Sequence, residues 1–133
     1  DRGFLENESK NALELVEGHK DLSLITVSKN DSIAEVINKM KNYNISQIPV
    51  VEGDDFIGSI DDQHLYSMLC DNNELRNEKI SSIMQEPFPI VDALTSITEI
   101  SKKVNKETSA VIVRDNDGKA HIITKHDIID AIA

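Results

Sequence analysis

The chain has 133 residues and a formal charge of −10, from 24 acidic against 14 basic side chains; a nucleic-acid backbone would be repelled by that field, which argues against nucleic-acid binding. The length suffices for one compact core, or for two small repeats sharing one, and is short for an enzyme with separate cofactor and substrate domains. Cys70 is the only cysteine, so no internal disulfide can form, and no apolar run nears the roughly 18 residues of a membrane span.

Without a signal-peptide pattern the expectation is a cytoplasmic domain with no membrane partner, and Cys70 reads as an ordinary packed thiol near a helix end. In chain order, ESKNALELVEG (residues 8–18) reads as a helix ended by Gly18, and LITV (24–27) as a strand. In DSIAEVINKMKNY, apolar Ile33, Val36, Ile37 and Met40 recur at helical spacing, with Asp31 or Ser32 placed to cap the start. QIPVVEGDDFIGSI reads as two strands around a Gly-Asp-Asp turn, and DDQHLYSML as a second helix.

The pattern then recurs. EKISSIMQEPF reads as a short helical connector ended by Pro87, after which TSITEISKKV places Ile97, Ile100 and Val104 where the first copy has Ile33, Val36 and Met40. SAVIVRDNDGKAHIIT is a second pair of strands, around an Asp-Asn-Asp-Gly turn whose glycine accepts positive φ. By a shift of 62 to 64 residues Val50 matches Ile112, and Leu65 matches Ile128. IPVV and AVIV are apolar at consecutive positions, so each strand should be covered on both faces, with the copies packed over one core. The boundaries are an N-terminal segment 1–21, a first repeat 22–71, a connector 72–86 and a second repeat 87–133.

ISQIPVVEGDDFIGSI in one copy and SAVIVRDNDGKAHIITKHDII in the other make the chain resemble the tandem cystathionine β-synthase (CBS) domain pair, or Bateman module, over residues 22–133. That resemblance implies an α+β fold of two β-α-β-β-α repeats related by a pseudo-twofold axis. The family signature at each last strand-to-helix junction is a glycine, two apolar residues, Ser or Thr, two further residues and Asp. The second copy supplies Thr124 and Asp127 with His121 at the glycine position, and the first supplies Gly58 with Asp61 and His64 at the polar positions.

Two readings of Thr124 and Asp127 stand side by side. They form a near capping box that satisfies backbone N–H groups of the first turn, contributing about 0.5 to 2 kcal/mol without any ligand. They also place a carboxylate able to accept from both hydroxyls of a ribose, beside a hydroxyl and a helix N-terminus that favour the group on the 5′ carbon. The resemblance implies an adenosyl ligand in the cleft between the repeats, its base lying against Leu24, Ile25, Val27, Ile45, Ser46 and Gln47. A second, weaker site would use Asp61, His64, Ile90 and Thr108. His64 cannot offer two acceptor oxygens there, and Asp61 would repel a phosphate.

The charge of the chain leans toward S-adenosylmethionine, a cation without phosphate, over ATP, with AMP between them. DRGFLENES (residues 1–9) resembles the segment that follows the catalytic domain of cystathionine β-synthase, a pyridoxal-phosphate (PLP) enzyme. The implied role is allosteric regulation of such a catalytic domain. The fragment itself shows no glycine-rich cradle or Schiff-base lysine, so PLP is expected only in the parent and no enzyme activity here. His19, His64, His121 and His126 lack metal-site spacing, and Asp-Asn-Asp-Gly reads as a hairpin turn rather than a calcium loop. The competing reading is a ligand-free structural module, a homodimer formed through helix faces near Tyr66, Met68 and Leu69 or Ile128, Ile129 and Ile132.

Overall fold

The structure, a computed structural model, describes residues 10–17, 24–105 and 107–132. The Gly3-Phe4-Leu5 stretch, the helix-ending Gly18 and His19 lie outside the described residues. The contacts divide the chain into two units, one of residues 25–87 and one that joins residues 1–24 to residues 88–133.

The first unit is a three-stranded sheet of order β1-β2-β3 with helices on it: β1 (Val27–Ser28), α2 (Ile33–Tyr43), β2 (Gln47–Glu52), β3 (Asp55–Asp61) and α3 (Asp62–Asp71), after a short N-terminal helix α1 (Ala12–Val16) that belongs to the other unit. β1 runs parallel to β2, and β2 antiparallel to β3. The opening strand begins at Val27 rather than at Leu24 and ends at Ser28, whose amide turns to the Asp31 carboxylate at 2.9 Å as the chain leaves the ladder. Asp31 is thereby spent on the turn, and Ser32 caps α2 by accepting from the Glu35 amide. Asn44, one of the residues that tolerate the left-handed region, closes the helix at φ 53°. The β2–β3 turn has Gly53 at φ 62°.

The connector is two 3₁₀ turns, Asn73–Asn77 and Ile80–Ser82, rather than one helix. It continues as an added edge on β3, where Ser59 and Gln85 exchange main-chain hydrogen bonds at 3.0 and 2.8 Å. That approach requires Gly58, since a Cβ there would stand 2.6 Å from the Met84 sulfur.

The second unit repeats the plan with β4 (Ile90–Val91), α4 (Ile97–Lys103), β5 (Ala110–Arg114), β6 (Ala120–Thr124) and α5 (Lys125–Ile132), in a sheet of order β4-β5-β6. Ser96 caps α4 as Ser32 caps α2. The ladders pair Gln47 with Asp61 and Ala110 with Thr124, and they pair Val50 with Gly58 and Val113 with His121. Val50 therefore corresponds to Val113 rather than Ile112, and Ser46 to Ser109 rather than Thr108. β2 and β5 are covered on both faces: Ile48, Pro49 and Val50 are buried, as are Ala110 to Val113.

The buried side chains form two clusters, each built from one unit's residues, where the sequence suggested a single core. One holds Val27, Ile33, Val36, Ile48, Val50, Ile60, Leu65, Ile80 and Ile83; the other holds Ala12, Val16, Val91, Ile97, Ile100, Val111, Val113, Ile123 and Ile128. α1 thus completes the second repeat. Its main chain does for α4 what the connector does for α2: Ile97 donates to Lys10 as Ile33 donates to Glu78, and Ala12 donates to Thr95 as Ile80 donates to Asp31. Residues 10–16 and 78–84 are copies of one edge segment.

α3 buries Leu65 and half-buries Met68 and Leu69, which leaves Tyr66 and Cys70 on the outer side; Cys70 is exposed, not packed. A hydrogen bond with the Cys70 thiol pushes the Tyr66 hydroxyl above the usual phenol range. Among the described residues no helix is long and apolar enough to cross a membrane.

The two edge segments give a paired expectation. Val16→Ala should cost about 2 kcal/mol and raise amide exchange chiefly in β5 and β6, whereas Ile83→Ala should cost about 3 kcal/mol and act chiefly on β2 and β3. Equal loss of protection in both sheets from either substitution would contradict the assignment.

Candidate functional site

The last strand of each repeat runs directly into a helix, and the polar side chains at that junction are wired in opposite directions. In the first repeat Asp61 is the cap: its Oδ1 accepts from the His64 amide at 2.8 Å. The His64 ring is engaged as well, its Nε2 lying 3.3 Å from the Ile83 carbonyl. A carbonyl only accepts, so Nε2 is the donor in that contact.

In the second repeat the carboxylate sits three residues later and reaches back. Asp127 Oδ2 accepts from the Thr124 amide at 2.8 Å and from the Thr124 hydroxyl at 3.1 Å. This is half of a capping box: the Thr124 hydroxyl donates to Asp127 instead of accepting from the first turn. The pair places a negative charge and a rotatable hydroxyl at the start of α5, where the helix dipole favours anionic groups.

The remaining expected site residues are distributed as follows. Thr124, Asp127, Ile90 and Thr108 belong to the second unit, and so does Leu24; Ile25, Val27, Ile45, Ser46, Gln47, Asp61 and His64 belong to the first. Val27 is a core residue, 2% exposed, whereas Ile90 is 59% exposed. The first unit brings Ser46 and Gln47 to Asp61 and its neighbour: Gln47 pairs with Asp61, and the Ser46 carbonyl accepts from the Asp62 amide at 2.9 Å. Thr108 is held in a turn, its amide on the Asn105 side chain at 3.0 Å. Its neighbour Ser109 has a buried hydroxyl with no partner among the described residues.

One polar group was noted in the sequence only as a departure from the family signature and as a histidine without metal-site spacing. His121, at the position the family gives to glycine, is 4% exposed and lies on the inward face of β6 with Ile123. Its Nε2 is 2.8 Å from Asp115 Oδ2, while Asp115 Oδ1 accepts from the Asp117 and Lys119 amides at 2.9 and 3.0 Å. The His121 hydrogen bond holds the Asp115 carboxyl below the usual carboxylate range; burial opposes this, and the two amides add to it. The sequence signal was a histidine in an inward strand register six residues after an aspartate across a turn. Asp-Asn-Asp-Gly itself is the hairpin expected, with Gly118 at φ 82° and its amide donating to the Asp115 carbonyl. Among the described residues no group of three His, Cys, Asp or Glu side chains is arranged to hold a metal ion.

The CBS-domain family model matches residues 20–71 and again residues 80–133. The chain belongs to the CBS-domain family and carries two such domains in tandem. No curated protein matches it in sequence. Among solved structures, a CBS-domain protein from Agrobacterium tumefaciens shares the fold with a TM-score of 0.81 at 17% identity, covering 96% of this chain and 97% of that one. The CBS domain pair of protein MJ0100, solved in complex with 5′-methylthioadenosine and S-adenosyl-L-methionine, gives 0.76 at 21% identity, covering 93% and 100%. CBSX2 in complex with AMP gives 0.65 at 19% identity, covering 84% and 88%.

The lowered Asp115 pKa fixes the sign of an acid effect. A carboxylate depressed on folding contributes stability that is complete above its unfolded value, about 3.9, and is lost as pH falls through the folded value. Asp115→Asn should therefore be less stable than the unsubstituted chain at pH 7, with the difference shrinking below about pH 4. Denaturant unfolding from pH 3 to pH 7 measures it, and a difference independent of pH would refute the ionised pairing.

Proposed function

We propose that this CBS-domain pair is a regulatory module that binds an adenosyl ligand, S-adenosylmethionine in preference to AMP or ATP, with Thr124 and Asp127 taking the ribose. The observation that carries the proposal is the Thr124–Asp127 pair at the strand-to-helix junction of the second repeat. Asp127 already accepts two hydrogen bonds from Thr124, so a sugar must compete with the Thr124 hydroxyl. That exchange is inexpensive, because the hydroxyl rotates and one hydrogen bond replaces another of similar net worth, about 1 kcal/mol. Asp61 and His64 are spent on local backbone groups in the first repeat, and there the ligand is expected to bind weakly if at all. Structures sharing this fold hold 5′-methylthioadenosine with S-adenosyl-L-methionine, and AMP, which supports the ligand class. The preference among them rests on charge: a chain of net −10 favours a sulfonium over a triphosphate.

Regulation then follows from differential binding. A ligand that favours one arrangement of the module over another changes how it acts on its partner, and one that binds both equally does nothing. The proposed partner is the catalytic domain of a PLP enzyme of the cystathionine β-synthase type, a reading supported by Gly3-Phe4-Leu5 in the sequence. A structural role is the second reading. It is favoured by exposed apolar residues, Tyr66 at 72% on α3 and Ile129 and Ile132 at 49% and 52% on α5, which a homodimer would cover.

Thermal unfolding with S-adenosylmethionine, AMP, ADP and ATP separates the two. At a hundred times its dissociation constant the true ligand stabilises by about 2.7 kcal/mol, a shift of several degrees. Asp127→Asn keeps an acceptor for the Thr124 amide but loses the charge and the second acceptor, so it should remove the shift while leaving the ligand-free Tm within a few degrees. No shift with any of the four ligands, together with a dimer in sedimentation, would favour the structural reading.

A further inference from the structure

Each repeat packs its edge segment beneath the strand-to-helix junction that carries the polar residues. In the first, Ile80 and Ile83 share a buried cluster with Ile60 and Leu65, the residues beside Asp61 and His64. In the second, Ala12 and Val16 share a cluster with Ile123 and Ile128, the residues beside Thr124 and Asp127. α1 accordingly contacts both β6 and α5, the two elements that meet at that junction. Main chain and side chain hold the segment there. Ala12 and Leu13 donate to the Thr95 and Ala93 carbonyls at 2.8 and 2.9 Å, and Lys10 Nζ donates to the Ala131 carbonyl in the last turn of α5 at 3.3 Å.

The two edge segments differ in what they are attached to. Residues 78–84 join the first repeat to the second, so the chain on either side of them belongs to the pair. Residues 10–16 lie ahead of both matched CBS domains, at 20–71 and 80–133, yet they dock on the second. Any polypeptide ahead of the pair is therefore tied to the repeat that carries Thr124 and Asp127.

We propose that α1 is a strap that reports occupancy of the Thr124–Asp127 site to the polypeptide preceding it: ligand tightens the dock, and an empty site loosens it. This output presupposes the adenosyl reading of that pair, and it leaves through the second repeat without passing through the first. Undocking withdraws Ala12 and Val16 from beside Ile123 and Ile128, which opens a void under the junction and strips the Ala93 and Thr95 carbonyls of their partners. β6 and α5 then lose a shared support, and Thr124 and Asp127 lose the fixed orientation that lowers the ordering cost of binding. A ligand of that pair binds the docked form more tightly, and by linkage it holds α1 in place by the same factor.

Amide exchange of the full chain tests the coupling, measured with and without saturating S-adenosylmethionine, or AMP if that is the compound that raises the Tm. Exchange at residues 12–17 should slow about fivefold or more, the lower end of typical coupling between sites. Val16→Ala should weaken binding by about the same factor. Lys10→Met, which keeps the stem and loses the bond to Ala131, should act in the same direction. Val104→Ala, a half-buried residue of the same cluster at the end of α4, should leave affinity unchanged. A raised Tm with unaltered exchange at residues 12–17 overturns the strap and leaves the ligand reading intact. Equal losses of affinity from Val16→Ala and Val104→Ala overturn it as well, reducing α1 to one more core contact. Unchanged affinity in Lys10→Met has the same force, and that variant leaves the core intact should Val16→Ala fail to fold. No rise in Tm with S-adenosylmethionine, AMP, ADP or ATP ends both readings.

Discussion

Each repeat presents, just before its first helix, a short run of main-chain groups that its own residues leave unsatisfied. Thr95 and Ile97 in one copy, and Asp31 and Ile33 in the other, bond to a segment that precedes a repeat in sequence. Buried main-chain groups without partners cost as much as lost hydrogen bonds, so this edge has to be closed. The chain closes each with the segment preceding the other copy: residues 10–16 complete the second repeat and residues 78–84 the first. A connector placed this way is a structural part of the repeat before it, and the N-terminal helix is part of the repeat farthest from it in sequence.

That arrangement accounts for the one place where the copies differ most. Gly58 is compelled by the closeness of Met84 and Gln85. In the second repeat the edge carries Val16 and Glu17, and the corresponding strand position tolerates an imidazole. Once His121 points inward it needs a partner, because a buried polar group without one costs about 1–3 kcal/mol. Asp115 is that partner, and its other oxygen holds the hairpin turn together. A single relaxed contact in the edge segment thereby goes with a buried histidine hydrogen-bonded to Asp115.

Much of the fold was legible in the residues. Apolar spacing located α2 and α4, Asp31 or Ser32 marked the start of α2, and Gly53 and Gly118 marked the hairpins. Register was not, and the reason is physical: β2 and β5 are buried on both faces, so IPVV and AVIV lack the alternation that fixes strand phase. Sliding one past the other by a residue still lays apolar on apolar, and Val50 was set beside Ile112 instead of Val113. The kinship of residues 10–16 with 78–84 escaped for a related reason. It resides in main-chain pairing and in three apolar positions, Ala12 with Ile80, Leu15 with Ile83 and Val16 with Met84, which is too little pattern to be seen without the hydrogen bonds.

At the candidate site the residue types were legible but the direction of their bonds was not. An aspartate that heads a helix and an aspartate three positions later can both cap, yet the first turns its carboxylate toward its own helix and the second turns it back to the strand. Asp61 satisfies an amide of α3, the helix it heads. Asp127 instead binds the strand end, accepting from the Thr124 amide and the Thr124 hydroxyl. The hydroxyl bond is the exchangeable one. Local capping and ligand recognition are then successive uses of one carboxylate, and the cap keeps the acceptor oriented in the ligand-free protein, which lowers the ordering cost that binding would otherwise have to meet.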